Sequence, residues 1–192
     1  RVWGTVLSDR RTAASSCTRF GRQIAALLPV LRIDRPVDIG GLSMGGYSVA
    51  AYANQHPDRI RRVVLLAPQV TTMGSDPSMS VVTLPGIGDY LFATYIAPVY
   101  MAGDMSDFAD PSHADRWSER YLDAMQYTGF RAALLSTLRS MQGDPFDEYR
   151  KLGGSGRPVL LVWGDDDRNV PFENAAQVSA DNHQAEQHHL AS

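Results

Sequence analysis

The sequence predicts an α/β fold in which a mostly parallel sheet is interrupted by a helical insert, and three features carry that prediction. Short apolar runs at 36–41 and 60–68 flank a stretch of helix length, Met44 to Gln55, rich in small residues. Strand, helix, strand in that order is the crossover unit that parallel pairing requires. A third apolar run, RPVLLVWG at 157–164, restarts the strand pattern after a long segment with helical periodicity and no strand.

Composition leaves room for such a core. The 192 residues are 44% hydrophobic and 20% charged, an ordinary balance for a folded domain and a poor one for disorder. The net charge is −3 and the 18 basic residues are dispersed, so no nucleic-acid or anionic-membrane surface is indicated. The single cysteine, Cys17, allows no internal disulfide, reads as a small buried hydrophobe, and has no partner at zinc-ligand spacing. No metal or organic cofactor is expected. The longest apolar run, YLFATYIAPVYMA, covers 90–102 and contains Pro98; a membrane helix needs about 20 residues. With no signal-peptide pattern visible, a cytoplasmic protein without a membrane span is the expectation.

Each element has a local reason. Residues 2–8, VWGTVLS, fit a strand that leads into the loop DRRTAASS. From Cys17 to Leu31, the residues Phe20, Ile24, Leu27, Leu28 and Leu31 fall on one helical face, dented near its end by Pro29. PVDIGG opens with a proline and reads as a short strand. The unbroken run Val63 to Ala67, like Val159 to Trp163, suits a sheet buried on both faces. Between the strands, Gly45, Gly46, Ala50, Ala51 and Ala53 let a helix lie close to the sheet. From Thr71 the pattern changes to turns without a period. Helical faces then return with Trp117, Tyr121 and Met125, and again with Phe130, Leu134, Leu138 and Met141. Residues 171–182 suit a helix opened by Pro171, and EQHHLAS at 186–192 suits a last strand. The expected organisation is a core formed by 1–70 and 151–192, with 71–150 as the helical insert.

The stretch GGLSMGG at 40–46 sits at the junction of a predicted strand and a predicted helix. Within it, Gly41-Leu42-Ser43-Met44-Gly45 is the pattern G-x-S-x-G in the context that gives it meaning. A serine in a sharp, strained turn needs neighbours without Cβ atoms, which the glycines two before and two after supply. Its hydroxyl then projects above the carboxyl ends of the strands. The N–H of Met44, the next residue, lies in the first helical turn and lacks a helical acceptor, so it can face an oxyanion. The plainer alternative makes these packing glycines and Ser43 a turn residue or helix cap.

Serine becomes a nucleophile when a histidine takes its proton and an acid fixes that histidine. Asp165, Asp166 and Asp167 all follow the strand VLLVW. Spacing does not separate them, and an acidic turn capping the next helix accounts for at least two.

Residues 33–68, IDRPVDIGGLSMGGYSVAAYANQHPDRIRRVVLLAP, resemble the nucleophile strand, elbow, helix and following strand of the α/β-hydrolase fold family, in its branch with a helical cap. VLLVWGDDDRNVP at 159–171 is similar to that family's acid motif W-G-x-x-D-x-x-V-P, and the match selects Asp167. SDRR at 8–11 is a weaker likeness to D-x-R-G, with Arg11 or Thr12 where glycine is expected, and Leu42 replaces the histidine often found before the serine. The fold the resemblance implies is a partial α/β-hydrolase sheet, truncated at both ends. The upstream strands and the loop giving the second oxyanion N–H would precede residue 1, and the catalytic histidine would follow Ser192. His188 and His189 are open to two readings: a displaced catalytic base, or strand residues facing the core edge and water alternately. His56, His113 and His183 read as ordinary residues.

What the resemblance implies is a serine hydrolase, of the esterase, carbon–carbon hydrolase or haloperoxidase-like kind, working through an acyl-enzyme on a small or medium apolar ester or related carbonyl substrate. Ser43 is its nucleophile, Met44 N–H an oxyanion donor and Asp167 its acid. The cap would close over the serine, its aromatics Phe92, Tyr95, Trp117, Tyr121, Tyr127 and Phe130 lining the substrate or filling the core. The alternative is a noncatalytic fragment or small-molecule-binding protein of the same fold, with an exposed sheet edge open to self-association.

Overall fold

The computed structural model describes residues 17–70, 80–82, 84–101, 108, 110, 112, 116–140, 144, 146–180 and 185–190. The strand expected at 2–8, the SDRR likeness, the turns at 71–79, the Cys17 side chain, Met141, His113 and His183 lie outside the described residues. The chain divides into two compact units, one drawn from Cys17–Thr71 and Asp144–Ser192, the other containing the Thr72–Gly143 segment.

The first unit is built on four parallel strands, β1 (Val37–Leu42), β2 (Ile60–Leu66), β3 (Val159–Gly164) and β4 (Ala185–Leu190), in that spatial order. Helix α1 (Cys17–Val30) precedes β1, and α2 (Met44–Gln55) makes the crossover to β2, over the ranges that periodicity and small-residue content predict. Two further helices complete the unit. One is α6 (Asp147–Gly154), which the sequence reading does not anticipate and which packs on α2. The other is α7 (Asn174–Ser179), shorter than the run opened by Pro171 suggests.

The expectation of strands buried on both faces is corrected. Ile39, Val63, Leu65, Val159, Leu161 and Trp163 form one core with Val49, Ala50 and Ala53 of α2, Tyr149 and Leu152 of α6, and Ala175 and Val178 of α7. On the opposite face Val64, Leu160 and Val162 are half-buried, and Leu42 and Leu66 are exposed. Both faces are apolar in sequence, but the described helices that pack on these strands contribute to a single core. The face expected for α1 is narrower than predicted: Phe20 and Leu28 are buried and Ile24 packs against the core, whereas Leu27 and Leu31 are exposed.

The described residues of the second unit are mainly helical, as predicted, and include a helical stretch over 87–101 that the spacing does not anticipate. It holds α3 (Ile87–Leu91), continuing as a wider π-type helix over Phe92–Met101, then α4 (Trp117–Gln126) and α5 (Phe130–Ser140). Its core gathers Val82, Phe92, Ile96, Ala97, Ala124, Met125, Phe130 and Leu135. Arg139 of α5 ties down the start of this unit, donating to the Val82 carbonyl at 2.8 Å and pairing with Asp89 at 2.8 Å. No described helix is long and apolar enough to cross a membrane.

Candidate active site

Ser43 stands between the last residue of β1 and the first of α2, with φ 50° and ψ −121°. Positive φ is uncommon for a residue with a side chain and costs of order 1–3 kcal/mol, so it persists only where the surroundings impose it. Here they do. The Ser43 N–H donates to the Leu66 carbonyl at 3.0 Å, and the Ser43 carbonyl accepts from Gly46 at 2.9 Å and from Gln69 at 3.0 Å. The serine backbone is thus fastened to the end of β2 on one side and to the loop after it on the other. Its side chain makes no helix-capping bond, which removes the plain cap as its explanation.

The glycines divide differently from the motif. A Cβ on Gly41 would lie 2.3 Å from the Gly45 carbonyl oxygen and 2.6 Å from the Gly46 nitrogen, and one on Gly46 would lie 2.8 Å from Cβ of Pro68. A Cβ on Gly45 meets nothing within 4 Å. Steric need therefore falls two before the serine, as expected, and three after it rather than two, because the turn folds Gly41 under the first helical turn while Gly45 points away. Met44 is the first residue of α2, so its N–H has no acceptor one turn earlier within the helix.

Sequence reasoning overlooked two supports of this turn. Gln69, which holds the Ser43 carbonyl, is itself held by the buried Tyr149 of α6, whose hydroxyl donates to the Gln69 carbonyl at 2.7 Å. Pro68 is the wall that forbids a side chain at position 46. No local pattern marks a contact between residues 80 positions apart, though a proline straight after a buried strand was a hint.

Asp167 lies in the loop after β3 and separates from its neighbours by environment. It is half-buried while Asp165 and Asp166 are exposed. Its Oδ1 accepts from the N–H groups of Asn169 at 2.9 Å and Val170 at 2.8 Å. The far end of the loop is pinned by the buried Trp163, whose indole N–H donates to the Val170 carbonyl at 2.6 Å. That arrangement spends Oδ1 on the loop, and among the described residues no hydrogen bond engages Oδ2.

Ser43 and Asp167 thus leave the carboxyl ends of β1 and β3, on either side of β2. Two strand spacings put their backbones roughly 10 Å apart, and an imidazole hydrogen-bonded at both ends spans about 8 Å. His188 and His189 alternate along β4 as strand residues do: His188 sits 2.7 Å from Glu186, and His189 lies 3.2 Å from Asp165 with its ring 4.2 Å from that of Phe172. Strand β4 is three spacings from β1, roughly 14 Å, too far for either ring to bridge Ser43 and Asp167. His56 packs on Tyr52 with ring centroids 4.6 Å apart. Among the described residues no group of three or more His, Cys, Asp or Glu is placed to hold a metal ion.

Residues 7–191 match the family model described as alpha/beta hydrolase fold. The chain belongs to the α/β-hydrolase fold family. It is 31% identical, over 87% of its length, to a 2-hydroxy-6-oxononadienedioate/2-hydroxy-6-oxononatrienedioate hydrolase of Paraburkholderia xenovorans, of which it spans 58%. Among solved structures it is similar to a thermophilic esterase from Thermogutta terrifontis, with a TM-score of 0.74, 19% identity, and coverage of 99% of this chain and 69% of that one. It is likewise similar to a meta-cleavage product hydrolase, with a TM-score of 0.70, 20% identity, and coverage of 99% and 69%. At those identities the two structures share the fold. The chain spans 58–64% of the length of the first curated relatives it matches.

Proposed function

We propose that the protein is a serine hydrolase that attacks the carbonyl carbon of a small or medium apolar ester or a related carbonyl substrate. Ser43 is the nucleophile, and its strained turn, fastened to the end of β2 and the loop after it, is the observation that carries the reading. A turn costing about 1–3 kcal/mol that caps nothing is hard to account for by packing alone. In the first step Ser43 Oγ bonds to the carbonyl carbon, and the oxyanion rests on the Met44 N–H. The serine proton passes to a histidine and from it to the departing alcohol as the ester C–O bond breaks. Asp167 accepts from that histidine through Oδ2 and holds it in the required tautomer. Water then cleaves the acyl-enzyme.

The bond broken is the finer question. Curated relatives named for 2-hydroxy-6-oxo-dienoate hydrolysis favour a second reading, cleavage of a carbon–carbon bond beside a ketone, on the same serine. Of the insert aromatics, Phe92 and Phe130 are buried in their own unit and Trp117 stacks on Tyr121, whereas Tyr95 and Tyr127 are exposed.

The test is covalent labelling of the intact protein with a fluorophosphonate, alongside turnover of p-nitrophenyl acetate and bleaching of a 2-hydroxy-6-oxo-dienoate. Labelling should vanish in Ser43→Ala, and the faster of the two substrates assigns the bond. Undiminished labelling of Ser43→Ala sinks the assignment of the nucleophile. A folded protein that neither labels nor turns over favours the binding-protein alternative.

A further inference from the structure

We propose that Asp165 and His189 form a positioning pair that locks the Asp167 loop to the end of β4 and so sets the position of the acid. The proposal rests on the reading of Asp167 as the catalytic acid.

The loop from Asp165 to Val170 is anchored at both ends, by different means. At its far end the Trp163 indole holds the Val170 carbonyl, a bond internal to β3 and its own loop. At its near end Asp165 is held by β4. The Asp165 N–H donates to the Leu190 carbonyl at 3.2 Å, Asp165 Oδ1 pairs with His189 Nδ1 at 3.2 Å, and the Phe172 ring packs on the His189 ring at 4.2 Å. Asp167 lies between these anchors, its N–H on the Gly164 carbonyl at 3.3 Å and its Oδ1 on the N–H groups of Asn169 and Val170. A shift of the near end therefore moves the carboxylate that has to meet the histidine.

Strand β4 needs such a fastening. Among the described residues it pairs only with β3, and Glu186 to Leu190 are exposed. Little apolar burial fixes the position of its last residues, so a side-chain bond that joins them to the acid loop has leverage there. It adds a side-chain contact between the acid loop and β4. A displacement near 1 Å at such a bond costs up to about a hundredfold in rate; partial loosening should cost less.

The experiment measures kcat and KM for p-nitrophenyl acetate in the intact protein, for His189→Ala, His189→Phe and His189→Asn, each alone and combined with Asp167→Asn. His189→Ala should lower kcat about tenfold with KM changed by less than about twofold. His189→Phe, which keeps the ring packing without the hydrogen bond, should fall as far, and His189→Asn, which can still donate to Asp165, should recover most of the loss. In the Asp167→Asn background the same changes should leave kcat where it is, because the pair acts through Asp167. Wild-type kcat in His189→Phe overturns the proposal, as does an undiminished loss in the Asp167→Asn background. Wild-type turnover in Asp167→Asn alone removes the acid reading and this proposal with it; a crippled Asp167→Asn beside unaffected His189 variants removes this proposal only.

Discussion

Adding one methyl group at each of three glycines separates a packing role from a motif role. In Gly41→Ala the new Cβ would lie 2.3 Å from a backbone oxygen and 2.4 Å from the carbonyl carbon of Gly45. Ordinary contact is about 3.5 Å or more, so the start of α2 must retreat by roughly 1 Å. Overpacking of this kind costs about 1–3 kcal/mol, and these neighbours are backbone atoms of the helix that carries the Met44 N–H. Gly46→Ala overlaps Pro68 less severely, at 2.8 and 3.1 Å, and should lie toward the lower end of that range. Gly45→Ala meets open space and replaces glycine by alanine in a helix, a gain of about 0.5–1 kcal/mol. For a chain of this length 1 kcal/mol moves Tm by about 2–4 °C. Thermal unfolding and fluorophosphonate labelling should therefore give a lower Tm and slow labelling for Gly41→Ala, the same to a smaller degree for Gly46→Ala, and an equal or higher Tm with labelling retained for Gly45→Ala. A Gly45 variant as damaged as the Gly41 variant would refute the steric account, since the motif treats the two alike.

Asp167→Asn should lower turnover by about 10³–10⁴ with the fold intact, while Asp166→Asn, exposed in the same loop, should stay within about twofold; parallel kcat measurements decide between them. Tyr149→Phe removes the hydroxyl that holds Gln69, and through it the Ser43 carbonyl. A loss of about 1 kcal/mol is expected, read as a lower urea midpoint together with slower Ser43 labelling. In the helical unit, Arg139 and then the Gly86 N–H hold the Asp89 carboxyl below the usual carboxylate range. A depressed folded pKa stabilises above the unfolded value, near 3.9, and that support fades as pH falls through the folded value. Asp89→Asn should therefore lower the urea midpoint at neutral pH, and the gap to wild type should close as the medium is acidified below about pH 4.

The order of elements was legible because it rests on local rules. The range of α2 follows from its small residues and the flanking strands, and α1, α4 and α5 follow from apolar spacing, whereas the helix over 87–101 had no such signal; none of the former needs knowledge of what lies across the molecule. Ser43 was legible for the same reason, since G-x-S-x-G between a strand and a helix describes one short piece of chain. Helix α6 was not, because DEYRKLGG has few apolar positions and is placed by packing on α2. The acid was half legible: three consecutive aspartates have identical local chemistry, and the family motif rather than spacing selected Asp167.

By itself, then, the sequence determined what the backbone does over a few residues: where strands and helices run, and where a serine must turn sharply. Tertiary structure decided everything that depends on what a side chain meets. It assigned the second indispensable glycine to position 46 through Pro68, gave Asp167 alone among its neighbours a half-buried seat, and put the buried side of the sheet on one face. Those outcomes depend on distances of 2–4 Å between segments far apart in the chain, and local periodicity carries no information about such distances.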